Sequence, residues 1–210
     1  QVIAGQLGSN HPDYAKSLNK LATLYLDQGR YSEAEPLFKE ALQIIADQLG
    51  NNHPEYAKSL NKLAALYKLQ GRLPEAESLY ELSLKIKNEI LGKKRLNYST
   101  SLNNLAQLHG EKRAYNEARQ LYKEAASIRK RVLKTPHTDY ANTLNNLGAL
   151  YHTQGRFEEA RFLYEEAASI SKQVLSTLYI DRDITFNNLV SLYRAQGGYE
   201  KARSLLDEAR

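Results

Sequence analysis

Apolar residues recur along this chain at steps of three and four, in two bursts separated by a glycine. Leu18, Leu21, Ala22 and Tyr25 stand at i, i+3, i+4 and i+7, the spacing of one helix face. Gly29 follows, with Gly71, Gly155 and Gly197 in equivalent places. A glycine there can take the left-handed conformation that closes a helix. A second helical pattern then runs through Ala34, Leu37, Phe38, Ala41 and Ile45. Its entry, Ser32-Glu33-Ala34-Glu35, reads as a capping box. Pro12 and Pro54 fall at the start of first helices, where a missing N–H costs nothing. Pro36 falls in the first turn of the second helix and marks its start. The pattern predicts a helical hairpin, repeated, and no strand.

The repetition is explicit. His11-Pro12-Asp13-Tyr14-Ala15-Lys16-Ser17-Leu18-Asn19-Lys20-Leu21-Ala22 returns as His53-Pro54-Glu55-Tyr56-Ala57-Lys58-Ser59-Leu60-Asn61-Lys62-Leu63-Ala64, a shift of 42. The same step links Ser101-Leu102-Asn103-Asn104-Leu105, Thr143-Leu144-Asn145-Asn146-Leu147 and Thr185-Phe186-Asn187-Asn188-Leu189. The copies span 11–52, 53–94, 95–136, 137–178 and 179–210, the last expected to be incomplete, with 1–10 as the tail of a preceding copy. Both ends thus predict a parent protein that continues, and end-to-end self-association through apolar faces left by the cut. The third copy departs from the pattern: Arg113 replaces the glycine, His109 the tyrosine, and Gly110 comes three residues early. A displaced, irregular and loosened turn is expected there.

Composition removes several classes of function. The 210 residues include no cysteine, so there is no disulfide framework, thiolate metal site or cysteine nucleophile. No run of about 18 apolar residues is present to span a bilayer, and the start of the chain lacks the pattern of a signal peptide. A cytoplasmic location is expected. His11, His53 and His137 share one column, a repeat apart, whereas ligands of one metal must lie within roughly 2.1 Å of it. No phosphate loop, dinucleotide fingerprint or hydrolase motif occurs. The reading is non-enzymatic, with no catalytic residue, no metal and no cofactor.

Leu18-x-x-Leu21-Ala22-x-x-Tyr25 followed by Ala34-x-x-x-Phe38 resembles the tetratricopeptide repeat (TPR), with Leu in place of the first Trp. A period of 42 alone would also suit HEAT or armadillo repeats, and the Gly29-x-Tyr31-x-x-Ala34 spacing decides for TPR. The His-Pro-Asp/Glu starts, Asn19, Ala34-Glu35-Pro36-Leu37 and the Leu49-Gly50 exit resemble the kinesin light chain type. The absence of Cys, Met and Trp and the closeness of the copies point to a bacterial relative. The resemblance covers essentially the whole chain. It implies an all-α fold, stacked antiparallel helix pairs in a right-handed superhelical solenoid. It also implies a groove that takes short peptides with acidic residues around an aromatic.

Fourteen of the fifteen tyrosines fall in four repeat columns, those of Tyr14, Tyr25, Tyr31 and Phe38; Tyr179 alone is off-register. Aromatics at recurring positions are packing groups between hairpins rather than base-stacking groups. The polar column is asparagine in every copy: Asn19, Asn61, Asn103, Asn145 and Asn187. Asparagine is a middling helix former, and its carboxamide both donates and accepts, so it can pair with a ligand backbone whatever the side chain. The alternative is that each asparagine bonds a neighbouring helix. Lys16, Lys20, Lys58, Lys62 and Lys68 surround the first two asparagines and suit acidic side chains. Asp13 and Glu55, three residues before Lys16 and Lys58, can offset the like-charge pairs.

Residues 85–134 carry thirteen Lys/Arg against four Asp/Glu, with Lys93-Lys94-Arg95 and Arg129-Lys130-Arg131 at hairpin exits. The first reading of these is a solvated rim; nucleic-acid binding is a minor alternative, because the tyrosines are committed to packing. The chain is thus expected to be a protein–protein interaction scaffold for an extended acidic peptide. A structural spacer within a larger protein is the alternative.

Overall fold

The computed structural model describes residues 8, 10–91, 96–134, 136–174 and 182–208. Of these, 86% are helical and none is in a strand. The N-terminal tail before residue 8, Lys93-Lys94-Arg95 and Tyr179 lie outside the described residues.

The chain divides into two compact units, 1–108 and 109–210. The first contains α1 (Pro12–Asp27), α2 (Tyr31–Leu49), α3 (Pro54–Leu69), α4 (Leu73–Leu91) and most of α5 (Leu96–Glu111). The second contains α6 (Tyr115–Val132), α7 (Thr138–Thr153), α8 (Phe157–Val174), α9 (Arg182–Ala195) and α10 (Tyr199–Glu208). Within the first unit α1 packs on α2, α2 on α3, α3 on α4, and the first helices α1 and α3 touch directly. The second unit repeats the arrangement: α6 on α7, α7 on α8, α8 on α9, α9 on α10, and α7 against α9.

Helix entries follow the expected chemistry, with one addition. Pro12 and Pro54 occupy first turns, and the histidine before each helix is its N-cap. Nδ1 of His11, His53 and His137 accepts from the backbone N–H of Asp13, Glu55 and Asp139 at 3.1, 3.2 and 3.1 Å. The histidine column is therefore explained by capping. The capping box expected at Ser32 is not formed. The N-cap of α2 is Arg30, without a side-chain cap bond, and Ser32 already lies inside the helix. The hairpin turn is so tight that helix 2 starts two residues after Gly29. Glu33 then reaches back to the Arg30 guanidinium, at 2.6 and 2.5 Å, instead of to a cap N–H.

The turns are Schellman motifs. Gly29 has φ 72°, its N–H bonds the Leu26 carbonyl at 3.0 Å, and Arg30 N–H bonds the Tyr25 carbonyl at 2.8 Å. In the third copy the expected displacement does not occur. Arg113 takes φ 61° where the glycines have 71–75°, and Ala114 N–H bonds the His109 carbonyl at 2.8 Å. The turn stays in register because flanking helices fix its length, and arginine carries the backbone strain. Gly110 simply lies within α5.

The Phe38 column is fully interior: Phe38, Tyr80, Tyr122 and Tyr164 are all buried. In the next most buried aromatic column a guanidinium stacks on the ring, Arg30 on Tyr25, Arg72 on Tyr67 and Arg156 on Tyr151, at 3.8–4.4 Å. Tyr199 departs from the packing expectation at 69% exposure, since among the described residues α10 packs only on α9. Leu21 and Leu24 are likewise exposed, whereas their equivalents Leu63 and Leu66 are buried. No helix among the described residues is long and apolar enough to cross a membrane.

Candidate functional site

The direct contact of α1 with α3 brings the asparagine column to a buried seam between first helices. Asn19 Nδ2 donates to Ser59 Oγ, and Asn61 Nδ2 to Ser101 Oγ, each at 2.9 Å and each across to the next copy. Asn19 and Asn61 are buried, and Asn103 is half-buried. In the second unit Asn145 is buried and its Oδ1 accepts from Asn188 Nδ2 at 2.9 Å. Asn187 is exposed. The carboxamide donors of Asn19 and Asn61 thus tie successive first helices together. Their Oδ1 atoms, and that of Asn103, are buried without a hydrogen-bond partner among the described residues. Each such acceptor costs roughly 1–3 kcal/mol of lost hydration.

Beside this seam, within the first unit, lies a pocket of about 370 Å³. Thr23 and Leu26 come from α1; Lys58, Asn61, Lys62 and Ala65 from α3; Lys87 from α4; Asn97, Thr100 and Asn104 from α5. Of the lysines singled out in the sequence, Lys58 and Lys62 reach this pocket. Lys16, Lys20 and Lys68 are not among its walls. Lys16 is exposed and pairs with Asp13 at 2.7 Å, and Lys58 pairs with Glu55 at 2.5 Å, as the i,i+3 spacing predicts. Lys62 is half-buried and donates to Thr23 Oγ1 at 2.8 Å. Burial lowers its pKa, and Asp27 partly opposes that shift.

Lys87 was not singled out by sequence reasoning. It is 3% exposed, and its Nζ donates to Ser101 Oγ at 2.7 Å. The same hydroxyl accepts from Asn61, and Ser83 Oγ lies 3.4 Å away while donating to the Ala57 carbonyl. Burial pushes the ammonium down to about 8, and the charge of Lys58 adds to the effect. Neither Lys62 nor Lys87 forms an ion pair among the described residues. The signal that could have found Lys87 is its column. Ile45, Lys87, Arg129 and Ser171 are equivalent, 42 apart, and all are buried, so two cations interrupt a core position.

Helix hairpins of this length, closed by glycine Schellman turns and stacked through small and aromatic columns, define a helical repeat scaffold. Tetratricopeptide-repeat family models match residues 1–47, 13–89, 55–131, 98–173 and 184–210. The chain belongs to the tetratricopeptide repeat family, whose fold is a protein–protein interaction scaffold. Its structural neighbours include kinesin light chain-like TPR proteins. One is BtubC (BKLC) from P. vanneervenii, 30% identical, TM-score 0.82, covering 94% of this chain and 79% of that one. Another is a kinesin light chain-like protein of Podospora anserina with nearly identical TPR-like repeats, 26% identical, TM-score 0.76, covering 95% of each chain. The pilF protein of Pseudomonas aeruginosa shares the fold, at 19% identity and TM-score 0.69 over 93% of this chain and 75% of that one. No curated protein sequence matches the chain.

Proposed function

We propose that this array is a non-catalytic, cytoplasmic scaffold that holds an extended acidic polypeptide segment along the first helices of its N-terminal unit. The observation that carries the reading is the convergence of Lys58, Lys62, Lys87 and Asn61 on one pocket, with two of the three cations lacking a carboxylate. A cation held out of water without a counter-charge is costly, so a surface that keeps two of them is suited to an anion. The asparagine column lies along the same seam and offers carbonyl oxygens still without donors, the complement of a peptide N–H.

Fluorescence anisotropy with a labelled glutamate-rich peptide and a neutral serine–glycine peptide of equal length tests the proposal. The acidic peptide binds, with an affinity that falls as salt rises, and Lys62→Glu weakens it about tenfold or more while leaving the neutral peptide unchanged. A spacer has no such ligand. Equal binding of both peptides, or of neither, refutes the proposal.

A further inference from the structure

Lys87 poses a question that the groove as a whole does not answer. A lysine ammonium carries three donors, and here one of them meets Ser101 Oγ, an oxygen that Asn61 already uses. The equivalent cation one copy later shows what a satisfied version looks like. Arg129, 4% exposed, donates to the Asp139 carbonyl at 2.6 Å and to Thr143 Oγ1, and the Asp139 charge supports it. One copy earlier the position is Ile45, which needs nothing. Among the described residues Lys87 meets neither a main-chain carbonyl nor a carboxylate. It has instead the pocket, whose other walls supply Lys58 and Lys62 and no acidic side chain.

We infer that the floor of this pocket is an anchoring subsite for a single carboxylate, seated on Lys87 and flanked by Lys58 and Lys62. The inference rests on the peptide-binding reading above and goes further by naming one buried side chain as its anchor. A carboxylate suits the space: it is planar and compact, and its oxygens can accept from Lys87 and from a wall lysine together. Asn97, Thr100 and Asn104 on α5 can meet the peptide groups on either side of it. The carboxylate comes either from an acidic side chain within a segment or from a chain terminus.

Binding has a proton signature. Among the described residues, the charged groups that share the pocket with Lys87 are Lys58, which acts on it directly and is itself paired with Glu55, and Lys62, on which Asp27 of α1 acts; the other polar neighbours on α4 and α5 are Asn97, Thr100, Ser101, Asn104 and Ser83. Burial, with the charge of Lys58, pushes the Lys87 ammonium down to about 8, and a carboxylate beside it raises that value. Binding near pH 8 therefore takes up a proton, and affinity falls as pH rises beyond 8.

The test uses the whole chain with lysine labelled at Cε. Three probes serve: a blocked peptide of alternating glutamate and alanine, an acetylated Gly-Ser peptide with a free terminal carboxylate, and the same Gly-Ser peptide amidated. The Lys87 titration, followed by NMR, shifts upward with one or both carboxylate probes and not with the amidated peptide; which one acts identifies the source. Lys87→Met lowers affinity for the active probe by about tenfold or more, because a charge-assisted hydrogen bond is lost, and it melts above the wild type without peptide, since an unpaired buried charge is gone. If the acidic peptide binds but Lys87 titrates unchanged, or Lys87→Met binds as tightly, the subsite is wrong and the groove reading stands. If no carboxylate probe binds, both fall.

Discussion

Arg113 is the one described non-glycine residue with positive φ, and replacing it with glycine isolates a single energetic effect. Its φ of 61° matches the 71–75° of the four turn glycines, so Arg113→Gly changes no backbone geometry. At the glycines Gly29, Gly71, Gly155 and Gly197 an added Cβ would meet nothing within 4 Å. The penalty at this turn is therefore the residue's own backbone strain rather than a clash. An L-residue in the left-handed region pays about 1–2 kcal/mol, and glycine returns about 0.5–1 kcal/mol of that through its freer unfolded chain. Arg113 is exposed, its backbone N–H bond to the Gly110 carbonyl at 3.1 Å is one that glycine keeps, and among the described residues its side chain makes no hydrogen bond or ion pair, so nothing else is lost. The net expectation is a stabilisation of about 1 kcal/mol, or roughly 2–4 °C if the chain melts as one unit. Arrays can also open piecewise, so amide exchange at Ala114 is the sharper assay. Its bond to the His109 carbonyl closes this turn, and its opening should become about fivefold rarer. The reciprocal Gly155→Arg should lose the same amount. An unchanged or lower melting temperature in Arg113→Gly, with unchanged exchange at Ala114, would refute the account.

Two further outcomes follow from individual contacts. Glu35 accepts from Lys39 at 2.8 Å and from Tyr67, Gln70 and Arg72 across the joint between the first two copies. Lys39 leads in holding its carboxyl at about 2, helped by Gln70 and Arg72 and opposed by burial. A depressed carboxylate contributes stability that is present above its unfolded value near 4.5 and lost as pH falls through 2. Denaturant titrations between pH 4.5 and 2 should show a loss of up to about 3 kcal/mol that Glu35→Gln largely removes; identical pH profiles would contradict it. At Gly148 a Cβ would stand 2.8 Å from Tyr164 Cε1, and that ring is 1% exposed with no room to swing aside. Gly148→Ala should cost about 1–3 kcal/mol, measured by chemical denaturation, although the equivalent positions Ala22, Ala64 and Ala106 carry that methyl. A neutral result would show that Tyr164 relaxes freely.

The hairpins were legible because their determinants are local. Apolar spacing, proline at N1 and glycine after the last turn act within about seven residues, and each copy repeats them. Ser32 misled because a capping box depends on where the preceding turn ends, and the Schellman closure at Arg30 leaves no residue free to serve as cap. Arg113 misleads because the flanking helices, and not the residue at the turn, set where the turn falls. The site was legible in part. Lys58, Lys62 and Asn61 came from charge and column regularity and do share a pocket. Lys16, Lys20 and Lys68 carry the same signal but are not among the pocket walls: Lys16 and Lys20 are the equivalents of Lys58 and Lys62 one copy earlier, on α1, which supplies only Thr23 and Leu26. Lys87 was missed because it sits on a second helix, and its neighbour Ser101 is fourteen residues away across a hairpin exit.

The bond from Asn19 to Ser59 has a consequence for how such a chain changes length over generations. Both partners recur in the next copy, where Asn61 meets Ser101 in the same way. The donor that a copy extends forward and the hydroxyl that it offers backward are encoded within one 42-residue period. A recombination that duplicates or deletes a whole period therefore restores a matched donor and acceptor at the new junction, with no compensating substitution. Gene-level slippage in steps of one period is structurally silent at this joint. The near-verbatim agreement of the first two copies is the trace such a process leaves. Substitutions such as Lys87, by contrast, give a particular junction a character that the next round of copying can propagate or erase.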